Sequence, residues 1–456
     1  MKIIILGAGQ VGSSLVARLS GERNDIVVVD LHNELLQKLQ DRFDIRTVQG
    51  NAAHPNILQQ AGAAEAELLI AATSDDETNM LACQMADMLF KVPRKVARVR
   101  AIEYFSFPGL FSPETIPIDY VISPEQIITG YIKRLLEYPG ASQVLDFADG
   151  KVRMVSVRAV RGGPMVGREI RELHQHMPHF HARIAAVFRN AQAIVPNGST
   201  IIHPGDEVFF LASAEEIKDV MLELRRSENP YKRIILAGGG HVGKRVAQAL
   251  EADYQVKVIE RDPSRAKKIA AQLNRATVLI GEASDKELMI SENIDSADVF
   301  CAITNNDEAN ILSGMLAKRL GARRVISLVN NDAYADLVEA GQVDLVISPQ
   351  QSTISALLRY IRRGDIAQVY SLRHGACEAL EMVAHGEAGQ SRVIGVPLDQ
   401  IRIPAGVVMG ALVRGDDVLQ VHHDTVIEDG DHVIMFLHDK KLIPDVERLF
   451  NSGVPA

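Results

Sequence analysis

Apolar residues along this chain follow two patterns that alternate. In the first, compact runs of β-branched and aliphatic residues are separated by stretches of helical period; in the second, short alternating runs are separated by turn signals. Residues 3–6 of the opening MKIIILGAGQVG read as a short buried strand, and an amphipathic helix bearing Val11, Leu15, Val16 and Leu19 follows at once. A second strand, 25–29, ends in Asp30. A helix near 33–42, a strand over 46–48 closed by Gly50, a helix near 55–61 and an apolar run over 68–73 come next. The acidic cluster Asp75-Asp76-Glu77 starts a helix to about residue 89, since acids favour a helix N-terminus. A strand over 96–100, an irregular stretch rich in Phe and Pro, and a strand over 120–122 follow. Ser123-Pro124-Glu125-Gln126 supplies a cap serine and a proline at the first helical position, opening a helix to about residue 138. Strands separated by helices predict a parallel, doubly wound sheet of Rossmann type.

From residue 143 the second pattern takes over. Alternating runs over 152–160, 183–189 and 207–212 are separated by Gly162-Gly163-Pro164, Pro196-Asn197-Gly198 and Pro204-Gly205-Asp206, and 215–224 reads as a helix. This predicts a small α+β module of about eighty-five residues. The charged run 225–232 reads as a linker.

Then both patterns return. Gly238-Gly239-Gly240-His241-Val242-Gly243 follows a strand over 233–237 and repeats the first glycine turn 231 residues on. Gly50 matches Gly281, Thr73 matches Thr304, Asp76 matches Asp307 and Asn79 matches Asn310 at the same offset, while Asp30 pairs with Glu260 one residue out of it. Ser123-Pro124 returns as Ser348-Pro349 at an offset of 225, which the small module keeps: Gly205-Asp206 as Gly430-Asp431, and Val187-Phe188-Arg189 as Leu412-Val413-Arg414. The order is large, small, large, small, with expected domains 1–140, 143–227, 232–364 and 368–453.

Each glycine of Gly7-Ala8-Gly9-Gln10-Val11-Gly12 has a mechanical task. Gly7 permits the tight turn, Gly9 lets a pyrophosphate approach the backbone, and Gly12 lets helix and strand pack closely. The N–H groups from Gly7 to Val11 are expected to cradle a diphosphate at the positive end of the helix. Asp30 stands where a ribose-binding acid belongs; its charge would repel a 2′-phosphate, which favours NAD(H) or ATP/ADP over NADP. A solvated strand-end acid is the plainer alternative. Asn51, Thr73 and Ser74 lie at strand ends, where ligands enter an open α/β sheet. Arg98 and Arg100, two apart on one expected strand, point the same way, toward a phosphate or toward solvent. The second unit keeps Gly238 to Val242, Glu260 and Thr304, but aligning Val96 with Val325 puts Ser327 and Val329 where the arginines stood, with Lys244 and Arg245 after Gly243 instead.

Composition narrows the reading. With 456 residues, 47% hydrophobic and 23% charged, the chain has the make-up of a globular protein of several domains. A net charge of −9 argues against a nucleic-acid partner, which calls for a basic face. Cys83, Cys301 and Cys377 lie far apart, as expected of free thiols. The first residues already read as a strand, leaving no room for a signal peptide, and no apolar run is long enough to span a bilayer. His174, His176, His179 and His181 cluster in HQHMPHFH; imidazoles suit a metal, but a polar surface loop is the favoured reading, so no metal site is expected. Helix capping is favoured over cation binding for Asp75-Asp76-Glu77.

KIIILGAGQVG, AATSDDETNMLACQMA from Ala71 and AITNNDEANILSGMLAKR from Ala302 carry a resemblance, as do ISPQQSTISALLRYIR from Ile347 and DHVIMFLHDKKLIPDVERLF from Asp431. Together with the four-module order, they resemble the tandem-RCK family of regulatory subunits of Trk-type bacterial potassium uptake systems. The resemblance covers essentially the whole chain and raises Arg98 as a ligand residue. It implies a homo-oligomer, a tetrameric ring, peripheral on the cytoplasmic face of the inner membrane. Such a ring docks beneath a Trk-type membrane potassium transporter subunit and opens or closes it as nucleotides bind. An NAD-dependent oxidoreductase is the alternative; it needs a proton donor held near the nicotinamide, and the small modules are poorly sized to close a substrate cleft.

Overall fold

The structure is a computed structural model that describes every residue except 21–23, 177–181, 191, 226–228, 332–333, 335–342, 362–365, 373–376, 389–390, 420 and 451–456. The chain divides into two compact units, residues 1–128 with 348–361, and residues 129–347 with 362–456.

The first unit is built on β1 (Lys2–Leu6), β2 (Asp25–Asp30), β3 (Arg46–Gln49), β4 (Leu68–Ala71), β5 (Arg94–Arg98) and β6 (Tyr120–Ile122). They form one parallel sheet in the order β3-β2-β1-β4-β5-β6. Ile3, Ile5, Leu6, Leu68 and Ile70 are fully buried because helices cover both faces, which is why these strands read as continuous apolar runs. Strand order reverses between β1 and β4, so their C-terminal ends open a crevice at the switch point. The helix Pro349–Ile361, from the second half of the sequence, also belongs to this unit and packs on the helix Gln10–Leu19 and on β6.

The second unit holds the other three sheets. β12 (Arg233–Ala237), β13 (Gln255–Glu260), β14 (Thr277–Ile280), β15 (Val299–Ala302), β16 (Arg324–Leu328) and β17 (Leu345–Ile347) repeat the doubly wound order as β14-β13-β12-β15-β16-β17. β7 (Ala141–Phe147), β8 (Val152–Arg158), β9 (Arg183–Arg189), β10 (Gln192–Ile194) and β11 (Glu207–Ser213) make an antiparallel sheet, β10-β9-β11-β8-β7. β18 (Ile366–Leu372), β19 (Cys377–Val383), β20 (Val407–Arg414), β21 (Asp417–Leu419) and β22 (His432–Leu437) make its counterpart, β18-β19-β22-β20-β21. The two antiparallel sheets share one apolar core, in which Phe209 meets Phe436 at 6.1 Å between ring centroids and Phe147 meets Tyr370 edge-on at 5.2 Å.

Three expectations need correction. The strand expected over 96–100 is β5, Arg94–Arg98, so Arg100 lies beyond it. The small sheet starts with β7 at Ala141, turning out of the helix Pro124–Glu137 through Gly140 at φ +91°, a strand the apolar pattern did not mark. The stretch 225–232, expected as a linker, is anchored where it is described. Tyr231 is buried, Arg225 Nη1 donates to Gly140 O at 2.7 Å, and buried Arg324 donates to Tyr231 Oη at 3.1 Å and to Ala141 O.

Candidate functional site

The turn after β1 is shaped by what surrounds it. Gly7 sits at φ +105°, with the Ala72 carbonyl 2.9 Å from where a Cβ would stand, and a Cβ on Gly12 would stand 1.9 Å from Gly7 O. Both are packing glycines. A Cβ on Gly9, by contrast, would meet nothing within 4 Å, so that position opens outward. The amides of Gly7 and Ala8 are engaged: Gly7 N–H donates to Val29 O (2.7 Å) and Ala8 N–H to Asp30 Oδ2 (2.7 Å). This narrows the expected cradle. The first intrahelical bond runs from Ser13 N–H to Gly9 O (2.9 Å), so the amides of Gly9, Gln10, Val11 and Gly12 precede the helical ladder, the geometry that an anion seat calls for.

Asp30 also accepts from His32 N–H at 2.8 Å, bracing the crevice on the β2 side. The second unit repeats this closely. Gly238 is at φ +114°, Gly239 N–H donates to Glu260 Oε2 (2.9 Å), Asp262 N–H donates to Glu260 Oε1 (2.9 Å), and Lys244 N–H to Gly240 O (2.9 Å) opens the helix His241–Leu250. Its open amides are those of Gly240, His241, Val242 and Gly243. A Cβ on Gly240 meets nothing within 4 Å, and one on Gly243 stands 1.8 Å from Gly238 O. Arg265 Nη1 lies 3.5 Å from both Glu260 oxygens, whereas the ring of His32 stands beside Asp30, with Nδ1 3.1 Å from Oδ1.

On the β4 side, fully buried Asn79 ties the strand ends together. Its Oδ1 accepts from Thr73 N–H (2.9 Å) and Thr73 Oγ1 (2.7 Å), and its Nδ2 donates to Arg98 O (2.9 Å). Asn310 makes the same bonds to Thr304 (2.9 and 2.7 Å) and to Leu328 O (2.9 Å). The three acids of the helix start take separate tasks. Asp75 caps Thr78 N–H (2.6 Å), as capping predicts; buried Asp76 accepts from Arg100 N–H (2.8 Å) and Ala101 N–H (2.9 Å); Glu77 accepts from Tyr104 Oη (2.6 Å). Asp307 likewise holds Asn330 and Asn331 N–H, both at 2.9 Å. The repeated Asp and Asn are thus clamps on the crevice wall, a role the sequence flagged only through their recurrence.

The arginines separate. Arg98 ends β5 at the crevice, and its buried Nε has no hydrogen-bond partner. Burial, then the charge of Arg100, lowers its pKa from the usual arginine value. Arg100 is bound back, its guanidinium donating to Asp76 Oδ1 (3.4 Å) and to Ser74 O. The two do not present a shared face. Ser74 accordingly serves through its carbonyl, and the Asn51 Oδ1 accepts from Ala53 N–H (2.9 Å) in a local turn. The comparison with the second unit also shifts by one. The β4–β5 ladder pairs Ala71 with Ala97 and the β15–β16 ladder pairs Ala302 with Ser327, so Leu328 and Asn330, rather than Ser327 and Val329, stand where Arg98 and Arg100 do. The second site still has no cation there.

Of the histidine cluster, His179 and His181 lie outside the described residues, as does the side chain of His174; His176 Nε2 lies 2.8 Å from Arg168 Nη1.

The TrkA-N domain family matches residues 3–124 and again 234–349, and the TrkA-C domain family matches residues 154–225. The chain is 51% identical to the Trk system potassium uptake protein TrkA of Halomonas elongata, covering 100% of this chain and 99% of that one. It is 52% identical to the protein of the same name from Vibrio alginolyticus, covering 99% of each. Among solved structures, the GsuK RCK domain superposes with a TM-score of 0.62 at 18% identity, covering 98% of this chain and 94% of that one. The GsuK channel bound to NAD superposes at 0.61 and 18%, covering 98% and 78%. At such identity the likeness to GsuK is one of fold.

Proposed function

The chain belongs to the TrkA family of Trk-system potassium uptake proteins, and on that premise we propose that it is a nucleotide-sensing regulatory subunit that gates a Trk-type potassium transporter. It acts as a homo-oligomeric, tetrameric ring, peripheral at the cytoplasmic face of the inner membrane, and performs no catalysis. Its modules are 1–140, 143–227, 232–364 and 368–453. The observation that carries the reading is the duplicated anion seat. Gly9 to Gly12 and Gly240 to Gly243 each offer helix-end amides at a switch point, each beside an acid bonded to the turn. Asp30 and Glu260 receive the ribose, and Thr73, Ser74, Asn51 and Thr304 line the entrances.

NAD(H) and ATP/ADP are the ligands that fit. The GsuK channel bound to NAD and GsuK bound to ADP, which share this fold, support this choice. Only the first site adds Arg98, so it is the better seat for ATP; the second, neutral at Leu328, suits a nicotinamide dinucleotide. Gly9→Leu and Gly240→Leu separate the two, because a side chain at either position fits the fold but fills the anion seat. Calorimetric titration with ATP, ADP, NAD and NADH is expected to lose one site in each variant, with no consumption of NADH in the presence of carbonyl substrates. Unchanged stoichiometry in both variants would count against the reading.

A further inference from the structure

The helix Pro349–Ile361 reaches the first candidate site although its sequence lies far along the chain. Its C-terminal end is firmly held. Tyr360 stacks on Tyr120 of β6 with ring centroids 3.9 Å apart, and Arg94 Nη1 donates to Tyr360 O at 3.0 Å. Toward its N-terminal end it packs on the glycine-turn helix, and Gln350 hydrogen-bonds it. Gln350 Nε2 donates to Ser14 Oγ and lies 3.5 Å from Gln10 O. Gln10 and Ser14 stand one turn apart on the same face of the helix Gln10–Leu19, the helix whose first turn carries the anion seat.

We infer that Gln350 is a positioning residue of the first nucleotide site, supplied by the second half of the chain. It holds the first turn of the helix Gln10–Leu19 in register for phosphate, and it does so as a neutral donor beside an anion seat. The inference rests on the reading of the first glycine turn as a nucleotide site. Because an amide and a carboxylate have nearly the same shape, Gln350→Glu changes the charge at this place and little else. Gln350→Ala removes the contact without adding charge. The contact has a further consequence: movement of the glycine-turn helix on binding is passed to the helix Pro349–Ile361 at Gln350.

The test uses the full chain in a Gly240→Leu background, so that the first site alone titrates. Gln350→Ala is expected to weaken ADP and ATP alike by about fivefold, as one strapping hydrogen bond is lost. Gln350→Glu is expected to weaken ATP by about tenfold or more, and ATP more than ADP, because the third phosphate adds charge. That excess should shrink as salt is raised, which a merely structural defect would not do. Ser14→Ala combined with Gln350→Ala should be no weaker than Gln350→Ala alone, since both remove one contact. ATP should also slow amide exchange in 349–361 in the parent protein and fail to do so in Gln350→Ala. Wild-type affinities for ADP and ATP in both Gln350 variants overturn the inference. Binding that survives Gly9→Leu overturns the nucleotide-site reading beneath it as well; binding lost in Gly9→Leu but intact in the Gln350 variants overturns this inference alone. Should Gln350→Glu fail to fold, the Gln350→Ala affinity and the Ser14 cycle decide.

Discussion

Arg98 is held in an unfavourable place. Its side chain is half-buried, its buried Nε lacks a hydrogen-bond partner, and burial followed by Arg100 lowers its pKa against the opposing pull of Glu125 and Asp76. A half-buried cation with one unsatisfied buried donor costs stability until a ligand supplies the missing acceptor. Arg98→Met should therefore leave the melting temperature of the ligand-free protein unchanged or raised, while cutting ATP affinity at the first site by about ten- to a hundredfold, and that for NAD by less. Thermal melts with and without ATP, beside titrations, check both halves; equal losses for ATP and NAD would refute the phosphate role. Arg100→Ala should act differently, through the loop that Asp76 holds. From the sequence the two arginines looked alike, because alternation assigns a shared face only inside a strand and β5 ends at Arg98. The tight turn at Gly7 and Gly12 and the place of Asp30 beside it were legible from their spacing. What spacing did not reveal is that Gly7 N–H and Ala8 N–H are already taken by Val29 O and Asp30, which leaves the proposed anion seat to the amides from Gly9 on.

The strand ends that frame each crevice are joined by a single buried side chain, Asn79 in the first unit and Asn310 in the second. Removing the Asn79 amide takes the partner from part-buried Thr73 N–H and Arg98 O, at a cost of about 1–3 kcal/mol. Asn79→Ala should thus lower the stability of the first unit and, by loosening the end of β5 that carries Arg98, weaken ATP there. Denaturation midpoints and ATP titration measure the two effects. Wild-type ATP affinity in a destabilised Asn79→Ala protein would show that the clamp serves folding alone. The recurrence of Asn79 and Asp76 at one offset was visible in the sequence, but recurrence names no partner. The β5 register was hidden for a physical reason: Lys95 sits inside the strand, buried and paired with Asp87 at 3.2 Å and Asp119 at 3.6 Å, so the apolar run begins too late. The helix Pro349–Ile361 was predicted as a helix from its cap and proline, yet an amphipathic stripe does not say which sheet it covers.

At the scale of the molecule, the two antiparallel sheets, one from each half of the sequence, share a core within the second unit. Their repeated dipeptides prove to be ion-pair partners: Arg189 grips Asp206 with Nε–Oδ1 at 2.9 Å and Nη2–Oδ2 at 2.8 Å, and Arg414 grips Asp431 at the same two distances. The four-module order was legible because duplication leaves matched offsets, whereas the joining of the small sheets was not, since an apolar face is silent about its partner. Among the described residues no helix is long and apolar enough to cross a membrane, and the chain carries a net charge of −9, which opposes adsorption to anionic lipid. The proposed role places attachment to the bilayer in protein contacts with the transporter. In cells lacking the transporter subunit, fractionation should move the protein from the membrane pellet to the supernatant, and restoring the transporter should return it. Raised salt should release little of it in the presence of the transporter if the contact is largely apolar, and much of it if rim charges dominate. Membrane association that persists without the transporter would refute the docking model, because neither a spanning helix nor a favourable charge would remain to explain it.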